Sequence, residues 1–281
     1  MVGIGTKSLT DSGWASCRQI VRLIRLAHAS RSFHPASVLL SFQTIADLDC
    51  RIIDGGDAPT IPAVILHGYG ANAGDLAPLA EPWIRSLGDD ATAYRFVFPD
   101  APNDLLSVGM PSGRAWWPLN MALLMEKVQT RRFADLHDQT PPGMDDARGQ
   151  VERLIAELTA SMNAPRYVLG GFSQGAMMSM DVAATASIEP PAALFLFSGT
   201  VVRRPGWIDG MPRLQNTRIV QSHGTLDPVL PYSSAVVLRD LMVEADLDVM
   251  FCPFEGGHSI GGDALSVTAD ALRSIAPVVD R

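Results

Sequence analysis

From about residue 47 onward, short apolar runs alternate with longer stretches in which apolar positions recur every three or four residues. The short runs fall at 49–54, 63–66, 94–98, 166–169, 192–197, 217–221 and 248–254. Several are continuously apolar, as in Ala63-Val64-Ile65-Leu66 and Ala193-Leu194-Phe195-Leu196-Phe197. Such runs suit strands buried on both faces and not strands with one wet side. Among the longer stretches, Val151, Leu154, Ile155, Leu158 and Met162 stand at i, i+3, i+4, i+7 and i+11. That spacing builds one apolar helix face, and Asp145 and Asp146 lie near its positive amino-terminal end. Further helices are predicted at 75–87, 174–186, 232–245 and 262–275. Strand followed by helix, repeated along the chain, predicts an α/β fold with a mainly parallel central sheet and helices on both faces.

No internal repeat and no linker rich in Pro, Gly or Ser divides this pattern, so residues 41–281 read as a single domain. One region breaks the rhythm. Between Asn103 and Asp146 the run GMPSGRAWWPLNMALLM is followed by a charged stretch and then QTPPG, which is too long for a simple connection. An excursion of this kind at 103–146 is expected to form a lid or a pocket wall. Residues 1–40 stand apart. Arg18, Arg22 and Arg25 recur at helical spacing beside Ile20, Val21, Leu23, Ile24 and Leu26 in an acid-poor setting. Organelle transit peptides and helices lying on a membrane surface share that pattern, whereas a secretory signal needs an unbroken apolar core that these arginines interrupt. A dispensable or poorly ordered leader, including one created by a start site placed too early, is the reading preferred to both. Residues 1–40 therefore stay outside the fold prediction.

Composition narrows the function classes. With 47% hydrophobic and 19% charged residues among 281, the chain is neither disordered nor fibrous in make-up. The formal charge is −8, and residues 1–40 hold five bases against one acid, leaving 17 bases against 29 acids in the remainder. Such an acidic body argues against a nucleic-acid partner, since phosphate contacts need clustered Lys and Arg. Cys17, Cys50 and Cys252 are widely separated with no Cys-x-x-Cys pair. Neither a disulfide framework nor a cysteine zinc site is expected, and the compartment reads as reducing, hence cytoplasmic unless residues 1–40 direct the chain to an organelle. No apolar run approaches the roughly 18 residues of a membrane helix, so no integral membrane protein is expected.

The chemistry concentrates at RYVLGGFSQGAMMSMDVAATA, residues 166–186, where a strand candidate meets a helix candidate through Gly171-Phe172-Ser173-Gln174-Gly175. A serine at so sharp a turn exposes its Oγ at the carboxyl edge of the sheet, and glycines two positions to either side let strand and helix approach without Cβ clashes. The same turn aims the Gln174 backbone N–H toward a developing oxyanion. The plainer alternative is a tight turn that merely exposes Ser173. A serine nucleophile needs a base and an orienting carboxylate, which in this arrangement follow in the order Ser, Asp or Glu, His. Asp227 in TRIVQSHGTLDPVLP follows Ser173 by 54 residues, and His258 in EGGHSIGG follows Asp227 by 31.

The other histidines read differently. His28 and His34 fall in the leader, His137 in the charged part of the excursion, and His223 stands before the acid and reads as structural or pocket-rim. His67, in LHGYGAN directly after a strand, reads as a brace for the loop it opens. That loop, with Gly68 and Gly70, either turns the chain or points a second backbone N–H at the oxyanion. No His-x-x-x-His or His-Glu-x-x-His spacing occurs, so no metal site is expected.

LHGYGAN, GGFSQGAMMS, HGTLDPVLP and GGHSI together resemble the phospholipase/carboxylesterase family of α/β-hydrolases, which includes the acyl-protein thioesterases. The resemblance runs from about residue 60 to 276. It implies Ser173 as nucleophile, Asp227 as orienting acid, His258 as base, and the Tyr69 and Gln174 N–H groups as the oxyanion hole. It further implies a serine carboxylesterase working through an acyl-enzyme on a small or lipid-like acyl ester, as monomer or homodimer, with no cofactor and no metal. Acyl-protein thioesterase and lysophospholipase are the alternatives within the family. Outside it stand a catalytically silent binding protein on the same fold and a lipid-surface binder acting through residues 17–29. PDAPN at 99–103 resembles the family segment leading to the acyl-binding wall, where one Trp is usual; here Trp116 and Trp117 stand together. Trp116, Trp117, Met110 and Leu119 are read either as the acyl wall or as core.

Overall fold

The computed structural model describes residues 39–277. Its strands are β1 (Leu39–Ile45), β2 (Leu48–Asp54), β3 (Ile61–Leu66), β4 (Tyr94–Pro99), β5 (Asn103–Leu105), β6 (Met110–Ala115), β7 (Val168–Phe172), β8 (Ala193–Phe197), β9 (Arg218–Gly224) and β10 (Val249–Phe254). The helices are α1 (Ala73–Leu76), α2 (Ala80–Leu87), α3 (Met121–Gln129), α4 (Met144–Ser161), α5 (Gln174–Thr185), α6 (Arg204–Gly210), α7 (Tyr232–Glu244) and α8 (Gly262–Ile275). Eight strands form one sheet in the order β1-β2-β4-β3-β7-β8-β9-β10. From β4 to β10 every pairing is parallel, while β1 and β2 add antiparallel strands at one edge. β5 and β6 pair as a separate two-stranded ribbon.

Two apolar layers explain the continuous hydrophobic runs. Successive side chains of a strand point to opposite faces, so Val64, Leu66, Leu194 and Leu196 join Val151, Leu154 and Trp207 on one side. Ala63, Ile65, Phe195 and Phe197 join Trp83, Phe96 and Leu272 on the other. Each such large side chain contributes about 1.5–3 kcal/mol by leaving water. Helix α5 is buried from Gln174 through Ala184, as expected for the helix that follows the central strand. Among the described residues, no helix is long and apolar enough to cross a membrane.

The expected alternation is present, with differences that have physical causes. Residues 75–87 are not one helix, because Pro78 lies in a 3-10 turn, Ala77–Leu79, between α1 and α2. The helix expected around Val151 begins at Met144, whose burial with Ala147 extends the same apolar stripe. β7 runs through Gly170 and Gly171, where a Cβ on Gly170 would stand 2.7 Å from the Phe195 Cβ; glycine there admits the neighbouring strand. β1 escapes the pattern because its exposed positions include Leu40 and Phe42, and it begins inside the segment set aside as a leader. A two-residue turn with positive φ at Ala46 and Asp47 joins it to β2. The excursion contains the β5–β6 ribbon and α3 before leading into α4. The arginine pattern at residues 17–29, with His28 and His34, lies outside the described residues.

Candidate active site

The loops that leave the carboxyl ends of β3, β7, β9 and β10 carry His67 to Gly70, Ser173, Asp227 and His258, as expected where ligands bind on an open parallel sheet. Ser173 sits at φ 55° and ψ −116° between β7 and α5, a conformation that side chains rarely adopt. Backbone contacts hold it there. Ser173 N–H donates to Phe197 O at 2.8 Å, and Ala176 N–H donates to Ser173 O at 3.0 Å. Any Cβ on Gly171 would collide with the Gly175 backbone, and one on Gly175 with the carbonyl groups of Leu66 and His67. Both glycines are therefore demanded by close approach and not by flexibility.

Three side chains separated by 54 and 31 residues form one hydrogen-bonded line. His258 Nε2 lies 2.9 Å from Ser173 Oγ, and His258 Nδ1 lies 2.7 Å from Asp227 Oδ2. The other carboxylate oxygen, Oδ1, accepts the N–H groups of Val229 at 2.8 Å and Leu230 at 2.9 Å. Burial raises the Asp227 carboxyl, but donors on His223 and His258, the His258 charge and the Leu230 N–H outweigh it and hold the group well below the usual carboxylate range. Phe172 packs its ring 4.8 Å from the His258 ring. Ser198 donates its hydroxyl to the Ser259 carbonyl at 2.7 Å and so ties down the loop that carries His258.

The loop after β3 is built around His67. Ala101 N–H donates to its Nε2 at 3.0 Å, so the ring hydrogen is on Nδ1, which lies 2.8 Å from Gly68 O. Burial pushes this imidazole below its ordinary value, against the Gly68 hydrogen bond and the charge of Asp100. Gly68 faces the nucleophile turn, where an added Cβ would stand 3.3 Å from the Ser173 Cβ. Gly70 N–H and Ala71 O pair with Arg114 at 2.9 and 2.8 Å, which sets the loop against β6. Among the described residues, neither the Tyr69 N–H nor the Gln174 N–H donates to another group of the chain.

Sequence reasoning assigned Gln174 its backbone only, yet its side chain is central. Gln174 Oε1 accepts the Trp116 N–H, and Nε2 donates to Trp117 O, both at 2.9 Å. The Trp116 indole N–H donates to His67 O at 2.9 Å, linking all three segments. Trp116 and Trp117 are 0% and 1% exposed and belong to the core. The acyl-wall reading of the two tryptophans is thereby corrected, since fully enclosed rings offer no face to a ligand. Met110 and Leu119 are half-buried, with Leu119 packed on the core. Only a match between amide side chain and backbone could have signalled the Gln174 bridge, and no local pattern encodes it. His137 is buried against Ser234. No group of three or more His, Cys, Asp or Glu that could hold a metal ion occurs among the described residues.

The model of the phospholipase/carboxylesterase family matches residues 48–275 of the chain. The chain belongs to this family. Acyl-protein thioesterase 1 of Neurospora crassa is 27% identical over 225 residues, covering 78% of this chain and 89% of that protein. Acyl-protein thioesterase 1 of Eremothecium gossypii is 34% identical over 178 residues, covering 61% of this chain and 68% of that protein. The crystal structure of esterase PE8 is similar with a TM-score of 0.63 at 25% identity, covering 85% of this chain and all of that one. The sheet of this chain, mainly parallel and covered by helices on both faces, is that of an α/β-hydrolase, and the protein is a carboxylic ester hydrolase.

Proposed function

We propose that Ser173 is the nucleophile of a carboxylesterase, with His258 as its base and Asp227 as the carboxylate that orients and stabilises the imidazole. The unbroken line from Ser173 Oγ through His258 to Asp227, at 2.9 and 2.7 Å, carries this reading. His258 Nε2 takes the hydroxyl proton as Oγ attacks the acyl carbonyl. The tetrahedral oxyanion rests on the Tyr69 and Gln174 N–H groups, which make no other hydrogen bond among the described residues. A donor at such a site contributes about 2.7–4 kcal/mol to the transition state. Protonated His258 then gives its proton to the leaving alcohol, and a water molecule, activated by the same imidazole, releases the acid from Ser173.

The half-buried Met110 serves as an apolar side of the acyl site, while Leu119 packs on the core. β6 supports this assignment for Met110, because Arg114 on that strand pairs with Gly70 and Ala71, the residues that follow Tyr69. A thioester substrate is the second reading, favoured by the thioesterase names of the fungal relatives. Hydrolysis of p-nitrophenyl esters from two to sixteen carbons, set beside the matching acyl thioesters, separates the two. Ester turnover at least equal to thioester turnover supports the carboxylesterase, and a strong thioester preference moves the assignment to the second reading. Fluorophosphonate labelling of Ser173, abolished in Ser173→Ala, is the expected signature of the nucleophile. Folded protein that neither turns over an ester nor takes up the probe would falsify the serine mechanism.

A further inference from the structure

His223 occupies β9 four residues before Asp227 and is fully buried. Its Nε2 lies 2.9 Å from Leu230 O and 3.2 Å from Asp227 Oδ2. A peptide carbonyl can only accept and an ionised carboxylate can only accept, so Nε2 carries the hydrogen. The other ring nitrogen, Nδ1, is buried with no partner. An unpartnered buried acceptor costs stability, and an apolar side chain of similar volume would avoid that cost. What the imidazole supplies, and a phenyl ring cannot, is a polarised N–H that is bonded to Leu230 O and stands 3.2 Å from the carboxylate oxygen. Leu230 closes the arrangement, giving its N–H to Asp227 Oδ1 and receiving the His223 N–H at its carbonyl.

We propose that His223 is a positioning residue for the hydrolytic reaction, a second imidazole that holds the Asp227 oxygen already bound to His258. This rests on the assignment of Ser173, Asp227 and His258 made above. Oδ2 accepts the His258 Nδ1 hydrogen bond at 2.7 Å and also faces the positive edge of the His223 ring, with Nε2 3.2 Å away, so two imidazoles act on its negative charge. Sharing moderates the pull of Asp227 on protonated His258 and keeps the carboxylate in one orientation. The titratable groups facing the pair are His258, from the loop after β10, and Tyr232, from α7, whose ring is 6.3 Å from the His223 ring. Arg239 stacks over Phe251, which lies against the far side of this cluster through its contact with Tyr232.

The test measures kcat and KM for p-nitrophenyl acetate from pH 5 to 9 in wild type, His223→Phe and His223→Gln, with active sites counted by fluorophosphonate uptake. In His223→Phe, kcat per active site is expected to fall about tenfold with KM within about twofold. Its acid limb of kcat/KM moves to higher pH, because an unshared carboxylate stabilises the imidazolium more strongly. The Gln side chain, whose amide nitrogen reaches the place of Nε2, is expected to recover most of both changes. A Phe variant with the wild-type turnover per site and the wild-type acid limb overturns the proposal, as does a Gln variant no better than Phe. Should the Phe variant not fold, nitrogen-15 spectra of histidine-labelled wild type decide, with a hydrogen expected on His223 Nε2; an Nε2 that carries none overturns the proposal. Wild type that takes up no fluorophosphonate overturns the triad itself, a failure seen before any His223 variant is made.

Discussion

The turn at Ser173 and the segment from Asn103 to Leu119 meet at the same loop, but different forces hold them. At the turn, backbone packs on backbone. Gly171 and Gly175 leave no room for a Cβ, and the strained Ser173 is enforced by neighbours within a few residues and by Phe197 on the adjoining strand. The segment from Asn103 is held instead by polar side chains reaching distant main chain. Asn103 Nδ2 donates to Ala115 O and Trp116 O at 3.0 and 3.1 Å, and Gln174 reaches Trp116 and Trp117 across 58 and 57 residues. The first kind of constraint is marked in the sequence by Gly171 and Gly175, which tolerate no side chain; the second is written nowhere in particular and tolerates partial loss.

Substitutions can break or sharpen that contrast, and the largest effect is expected at the turn. Ser173→Ala should lower kcat by about 10⁵- to 10⁶-fold, as loss of a serine nucleophile does elsewhere. Its urea midpoint should stay close to wild type, because the Ala Cβ occupies the place of the Ser Cβ. Turnover near wild type from folded Ser173→Ala would remove the serine from the mechanism. Gly175→Ala should strike stability and rate together. Its new methyl group meets the Leu66 and His67 carbonyl groups, which cannot retreat without moving the loop that carries Tyr69. A loss of at least about 3 kcal/mol in urea unfolding is expected, with about 100-fold or more in kcat. A stable and fully active Gly175→Ala would show that close approach is not what the turn requires.

Gln174→Ala probes the second kind of constraint and should be milder. It leaves the backbone N–H of residue 174 in place but strands the Trp116 N–H and the Trp117 carbonyl, so about a tenfold fall in kcat is expected with the fold retained. An effect as large as that of Gly175→Ala would erase the distinction between the two regions.

The smallest effect is expected inside α5 itself. Asp181 is wholly buried, accepts the Trp207 indole N–H at 2.9 Å and lies 3.4 Å from Arg148. Burial raises its carboxyl above the ordinary 3.8, opposed by the Trp207 hydrogen bond and the charges of Arg203 and Arg148. An acid raised in the folded chain binds its proton more tightly there than in the unfolded chain. Stability from this group therefore declines as pH climbs from the ordinary value through the folded one. Asp181→Asn keeps an acceptor for Trp207 and removes the charge. Its unfolding free energy from urea titration, relative to wild type, should rise between pH 4 and pH 7 by less than about 2 kcal/mol. A constant difference across that range would mean that the buried charge has no net cost.

Much of the site was legible because its parts are local. A strand, a sharp turn with glycines at 171 and 175, and a helix all fall within residues 166–186, and the later loops announce Asp227 and His258 by order and by flanking turn residues. The histidines illustrate the limit. Nothing in HGTLDP separates His223 from a bystander, and only three-dimensional contact shows it beside the same carboxylate oxygen as His258. Trp116 and Trp117 were equally open between wall and core, since an apolar ring suits both, and burial to 1% or less decides for core.

Period and punctuation in the sequence by themselves determined the alternation of strand and helix and the two-sided burial of the sheet, and marked Ser173, Asp227 and His258 as candidates. The first two follow from interactions within a turn or a strand, where spacing alone dictates which groups can meet; the candidates were marked by their turn motifs and their order along the chain. Tertiary structure alone decided that β1 joins the sheet edge, that Gln174 bridges to the tryptophan backbone and that His223 lies beside Asp227. Each of these last contacts depends on where the sheet and its loops place the partner, a position that residue spacing does not encode.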